Sequence, residues 1–287
     1  MPSKYKKTVI TTSYWRPGEG YLQKISDSIK RKIEDGDVVT ISEKAICTTL
    51  GNLVDEEHIK ANRLSHFLAR YWMRYVWGYI LGPLCHLRRS TICHCRTYPV
   101  KAGSTHKRVV VQHAGLLQAL MHSSEGGIDG SNLPYAYISL PLKNARQTAQ
   151  KIRNYIKSTL GKEVTVVIVD TDKTYSLRGF HFTPRPKPIK GIHSFGGVLA
   201  YAFGRFFKMK QRATPIAIAG SQMTTEEALE IAKIANRSRG VGAGRTIWDM
   251  AERFNAPLTA VSWEMLDKVE HKPIVIARRF APTEGKI

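Results

Sequence analysis

The apolar positions of this chain switch repeatedly between helical and strand-like spacing. Tyr21, Leu22, Ile25, Ile29 and Ile33 recur at helical intervals and the run closes at Gly36, which predicts a helix over 21–35 with a glycine C-cap. Val38-Val39-Thr40-Ile41 then predicts a short strand that delivers Ser42, Glu43 and Lys44 to its end, where a loop can meet a ligand. Residues 61–84 form an aromatic-rich helical stretch with Phe67, Tyr71, Trp72, Tyr75, Trp77 and Ile80, broken by Arg74 and stopped by Gly82-Pro83. Its most apolar part is shorter than the roughly 20 residues of a membrane span, so it reads as a core or dimer-interface helix. Residues 108–111 predict a strand, 144–160 a basic helix closed by Gly161, and 164–169 a buried β-branched strand. Thr224-Thr225-Glu226-Glu227 predicts a capped helix running to about Ser238. The glycines of 240–244 follow, then a helix from about Thr246 to Phe254 and a closing strand over 274–277. Residues 184–188 read as a loop. The alternation is irregular and shows no internal repeat, which predicts a mixed α/β fold, not a simple doubly wound sheet.

Composition narrows this only slightly. A chain of 287 residues can bury a substantial core. Met1 to Lys7 is basic, but the segment after it is too short and polar for the apolar region of a signal peptide. Four cysteines make no disulfide framework at this length, so a reducing cytoplasm is expected.

Charge changes the picture more. Of the formal net charge of +21, the stretch from Ala61 to Pro215 carries +19, with 24 Lys and Arg against five acids. Such a balance raises nucleic acid as a partner. No zinc-finger, helix-turn-helix or RNP-like pattern accompanies it, and a phosphate-bearing small molecule suits it at least as well. The five acids are Glu125, Asp129, Glu163, Asp170 and Asp172. Acids placed among so many cations need a positive partner, and a divalent metal is the obvious one.

Three of the five lie in two short motifs. Asp129 sits in Gly127-Ile128-Asp129-Gly130-Ser131-Asn132, a turn offering a carboxylate, a hydroxyl and an amide. Asp170 and Asp172 end the apolar run Val166-Val167-Ile168-Val169 with Thr171 between them, at the strand edge where α/β proteins bind ligands. Read as ordinary structure, the first is an Asp-Gly turn and the second a strand end with Asp172 as a cap. Together they make a credible oxygen-rich site for Mg or Mn.

The two motifs in this order resemble the coenzyme F-420 γ-glutamyl ligase family. Residues 36–44 look like its early strand and loop, and 127–132 are similar to its Gly-Val-Asp-Ala-Ser-Asn motif. Residues 140–156 resemble its following helix, and 166–171 its strand ending Ser-Asp-Thr, with forty-one residues from Asp129 to Asp170. The resemblance is best over 36–172. It implies a ligase-like mixed α/β fold forming a single catalytic unit over 1–287, with 61–105 as a candidate inserted helical subdomain, and a homodimer. It further implies that GTP phosphorylates a carboxylate on a deazaflavin coenzyme precursor and that the amine of L-glutamate displaces the phosphate. Asp129, Asp170 and Thr171 become metal ligands and Asn132 a nucleotide contact. Ser42, Glu43, Lys44, Gly240 and Gly242 join the expected nucleotide site, with Arg239 and Arg245 beside the glycines.

The chain also departs from the family pattern. Asp172-Lys173-Thr174 follows where the family has Phe-Gly-Arg. The lysine expected after the early strand is Thr48, and the late glutamine expected to complete the metal site is Val241. A noncatalytic nucleotide- or RNA-binding relative is therefore a second reading. A third is a phosphatase with Asp170 as nucleophile and Asp172 as general acid, because residues 168–174 also fit a hydrophobic-Asp-x-Asp-x-Thr pattern. Cys85, Cys93 and Cys95, with their neighbouring histidines, are candidate zinc ligands, although Arg88, Arg89 and Arg96 oppose a cation there.

Overall fold

The computed structural model describes residues 5–123 and 125–280. The first four residues of the basic N-terminal segment lie outside them. Nine strands are present among the described residues: β1 (Tyr5–Thr12), β2 (Val38–Ser42), β3 (Leu53–Asp55), β4 (Tyr137–Ser139), β5 (Thr165–Leu177), β6 (Phe180–Thr183), β7 (His193–Ser194), β8 (Lys210–Ala219) and β9 (His271–Arg279). Seven form one sheet in the order β1-β9-β2-β5-β6-β7, with β8 also pairing with β5; β3 and β4 form a separate antiparallel pair. Only β2 with β5 and β6 with β7 are parallel, so the sheet is mixed as expected.

The unbroken apolar run of β5 follows from burial on both faces. Val166 and Ile168 face one core with Val39, Ile41, Ile274 and Ile276, covered by Ile25 and Ile29 of the helix Tyr21–Ile29 and by Ala149, Ile152 and Ile156 of the helix Ala145–Leu160. Val167 and Val169 face the other, against Ile231 and Ala232 of the helix Thr225–Arg239. That helix starts as predicted, with Thr224 accepting from Glu227 N at 3.2 Å. The helix Ala145–Leu160 ends on Gly161 in the left-handed conformation, φ 65°.

Two predicted elements need correction. The helix beginning at Tyr21 stops at Ile29, because Asp37 captures Glu34 N at 2.8 Å and closes the connection as a turn; Ile33 still reaches the core. Residues 108–111 are not a strand but part of the helix Val100–Ala114. Its buried positions, Gly103, Ser104, Lys107 and Val110, repeat at helical spacing, and packing of Val109 and Val110 against Leu68, Ile128 and Ile138 overrides their β-propensity.

The aromatic stretch is helical, with Leu68–Leu81 in π-helical geometry. Met73 and Trp77 are buried in a cluster with Tyr175 and Phe182, and the indole nitrogens of Trp72 and Trp77 both donate to Leu120 O at 2.7 Å. Phe67, Tyr71, Tyr75 and Tyr79 stand exposed on the other side, the tyrosine rings stacked at 6.3 Å. No helix among the described residues is long and apolar enough to cross a membrane.

Candidate functional site

Strands β2 and β5 run parallel with Ser42 opposite Val169, so Glu43 and Asp170 lie side by side where β2 ends; β5 does not end there as expected but runs on to Leu177, paired with β8. Beyond Asp170 the pairing with β8 slips: Asp170 faces Thr214, but Lys173 faces Ala213. The slip leaves Thr171 and Asp172 in a bulge, a common device for aiming side chains at a site. Asp172 is buried and accepts from Gly127 N at 3.0 Å, which joins the two aspartate motifs directly. Thr171, between the acids, is exposed.

Within the Gly127–Asn132 motif, Asp129 accepts from Ser131 N at 2.7 Å and Ser131 Oγ at 3.0 Å. Lys44 pairs with the same carboxylate and donates to Ser131 O at 2.7 Å and Ser131 Oγ at 2.9 Å. Lys44 is thus a partner of the acid motif, and Ser42 begins the helix Glu43–Thr49 just before it. Asn132, at φ 60°, spends its amide on the late glycine loop: Oδ1 accepts from Ala243 N at 2.6 Å and Nδ2 donates to Gly244 O at 2.8 Å. A Cβ at Gly242 would stand 2.3 Å from Asn132 Oδ1, which is why glycine is required there. Gly242 therefore lies beside the Asp129 motif, whereas a Cβ at Gly240, also at positive φ, would meet nothing within 4 Å.

Arg185, in the 184–188 loop, is the principal residue that sequence reasoning missed. Its guanidinium is buried and contacts Glu43 Oε1 at 2.6 Å, Gly126 O and the carboxylate of Asp170. Arg185 Nε lies 2.6 Å from Asp170 Oδ2, but without the direction of a hydrogen bond, so both buried atoms lack one. Burial opposes its charge, yet Glu43, Asp170 and Asp172 raise its pKa above that of a free arginine. No local pattern signals this role.

Burial raises both Asp172 and Glu43. Asp172 is pushed well up, with repulsion from Asp170 adding to burial. Glu43 is pushed to about 7, burial and the nearby Asp170 outweighing Arg185. Glu43 thus binds its proton more tightly in the fold than in the unfolded chain. Its contribution to stability is full below about 4.5 and is lost as pH rises through about 7. Stability measured by denaturant unfolding should decline across that window, and Glu43→Gln should flatten the decline; an unchanged slope in the variant rules this out.

Four of the five acids of the basic stretch therefore have internal cations: Lys44 for Asp129, Arg185 for Asp170, Lys107 for Glu125, and Arg153 and Lys157 for Glu163; Asp172 instead accepts from Gly127 N. Among the described residues no group of three or more His, Cys, Asp or Glu is arranged around a metal position. Cys85 and Cys95 are buried while Cys93 is exposed. Carboxylate and hydroxyl oxygens of Asp129, Asp170 and Thr171 have the donor chemistry of a hard divalent ion, and Asp170 Oδ2 is buried without a hydrogen bond. An ion there competes with Lys44 and Arg185 for the same oxygens. Thr48, where a lysine was expected, donates its hydroxyl to Lys44 O at 2.9 Å, and Val241 is exposed.

The sequence model of F420-0:gamma-glutamyl ligase matches residues 9–246, a span that takes in the early strand, both aspartate motifs and the glycine loop. The chain belongs to the F420-0:gamma-glutamyl ligase family. It is also 34% identical over 281 residues to an uncharacterised protein of Methanocaldococcus jannaschii, the match covering 94% of each chain. The family membership supports a ligase, and the mixed α/β fold agrees with it.

Proposed function

We propose that this protein forms an amide between a carboxylate of a coenzyme F-420 precursor, or of a related acyl substrate, and the amine of L-glutamate, using GTP. The observation that carries the reading is the hydrogen bond from Gly127 N to Asp172, which sets the Asp129 and Asp170 motifs side by side in a chain of this family. A substrate carboxylate oxygen attacks the terminal phosphorus of GTP, the bond to the bridging oxygen breaks and GDP departs. The amine nitrogen then attacks the acyl carbon, the carbon–oxygen bond breaks with its electron pair going to the departing phosphate, and the proton lost by the nitrogen leaves with that phosphate. Asp129, Asp170 and Thr171 would hold Mg or Mn, which would supply charge neutralisation for phosphoryl transfer. Lys44 and Arg185 orient the carboxylates of Asp129 and Asp170. Asn132 holds the glycine loop with Gly240 and Gly242 against the site, and the end of β2 brings Ser42, Glu43 and Lys44 to the nucleotide. The exposed tyrosine row of 71, 75 and 79 is the candidate homodimer face, and the unit acts as one catalytic body.

The test is metal-dependent GTP turnover with glutamate and the deazaflavin precursor. Asp129→Ala and Asp170→Ala are each expected to weaken Mn and GTP binding by about 10- to 100-fold, measured by titration calorimetry. Unchanged affinities in folded variants would remove both residues from the site.

A further inference from the structure

Arg239 ends the helix Thr225–Arg239, and neither of its terminal guanidinium nitrogens, both buried, has a hydrogen-bond partner among the described residues. Lys173 lies on β5 just past Asp172, and Arg245 follows the glycine loop. Neither forms an ion pair among the described residues. Lys173 is the common neighbour: Asp172 and Asp170 attract it, the charges of Arg239 and Arg245 both bear on it, and Arg239 is attracted by Asp170. Burial lowers the pKa of Lys173 and holds that of Arg239 at about 10.

A buried guanidinium whose terminal nitrogens make no hydrogen bond is unfavourable. Asp170 relieves this little, because its nearest cation is Arg185. The loop between Arg239 and Arg245 is pinned to the Asp129 motif by the two hydrogen bonds of the Asn132 amide, and Arg253 donates to Gly242 O at 3.0 Å. The backbone between Arg239 and Arg245 is thereby fixed against that motif; Arg245 is exposed, whereas Lys173 and Arg239 are half-buried. A planar guanidinium fork matches two oxygens of one anionic group, and a flexible lysine adds a point charge.

We propose that Arg239, Lys173 and Arg245 form an oxyanion subsite that grips a phosphoryl or carboxylate group of the substrate beside the Asp129–Asp170 cluster. The chemistry recognised is an anion with at least two free oxygens. The subsite deepens the ligase reading, but its existence does not depend on turnover.

The probes are inorganic phosphate, GTP and L-glutamate, titrated calorimetrically into the full chain and into Arg239→Gln and Lys173→Gln. Thermal unfolding without ligand is followed in parallel. Arg239→Gln should leave the ligand-free protein as stable as the parent or more stable, since it removes an uncompensated charge. It should weaken binding of phosphate or glutamate by about 10- to 100-fold, the range of a charged hydrogen bond, and Lys173→Gln should weaken the same probe. Parallel loss for phosphate and GTP identifies a nucleotide phosphate as the occupant, and loss for glutamate alone identifies a carboxylate. The proposal is overturned if the parent binds none of the probes, if affinities are unchanged in the variants, or if Arg239→Gln merely destabilises the ligand-free fold. Absence of ligase turnover alongside phosphate or glutamate binding that the variants weaken would sink the ligase reading and leave the subsite standing.

Discussion

Replacing Arg185 by methionine is expected to lower the stability of the fold by about 3–5 kcal/mol, the usual cost of stripping one partner from a buried charge cluster. Glu43, Asp170 and Asp172 all lie within its field, and the Arg185 side chain is only 4% exposed. Without the guanidinium these acids must take up protons or sit as uncompensated charges. The pKa values of Glu43 and Asp172, which Arg185 lowers, rise further, so the stability lost grows as pH rises. Denaturant unfolding of parent and variant at pH 5 and pH 8 checks this. The gap should be wider at pH 8, and an equal gap would show that Arg185 acts by packing and not by charge. An Arg185→Lys variant keeps the charge but loses the fork that reaches both Glu43 and Gly126 O, so it should recover only part of the loss.

The second large effect lies away from the site. Lys107 is fully buried and pairs with Glu125, which also pairs with His106; His106 in turn meets Glu56 at 2.7 Å. Burial alone would raise Glu125, but Lys107 and His106 prevail and hold it at about 2. Burial would lower His106, but Glu56 and Glu125 prevail and hold it at about 10. The Glu125 contribution is present above about 4.5 and is lost as pH falls through about 2. That of His106 is present below about 6.5 and is lost as pH rises through about 10. Glu125→Gln and Lys107→Met should each cost about 3–5 kcal/mol at neutral pH. The double variant should cost clearly less than their sum, because the second change removes a charge already stranded by the first. Strict additivity would sink this account.

What the sequence revealed follows from where the determinants lie. The two-faced burial of β5 is written in its own consecutive residues, and the caps at Thr224 and Gly161 are local. Both aspartate motifs, and the end of β2 that meets them, were readable for the same reason. Other elements depend on distant contacts. Strand β8 holds Pro215 in its middle, a residue that argues against a strand; the fold accommodates it at a register shift opposite Val169. The valines at 109–111 read as a strand until their packing partners on other elements are known. Arg185 lies between two prolines in a stretch that looks like a connector, and its burial among acids comes from residues up to 142 positions away. The orphaned nitrogens of Arg239 are invisible for the same reason, since the lack of a partner is a property of the assembled fold.

Asn132 has a further consequence. Its backbone belongs to the acid motif, one residue from the Ser131 carbonyl that holds Lys44, while its amide is clasped to the glycine loop beyond Arg239. The two halves of the site are thereby one mechanical unit. An anion drawing the loop inward pulls, through a single side chain, on the turn that orients Asp129. Filling one half can tune the other across a few bonds, with no domain motion needed to carry the message.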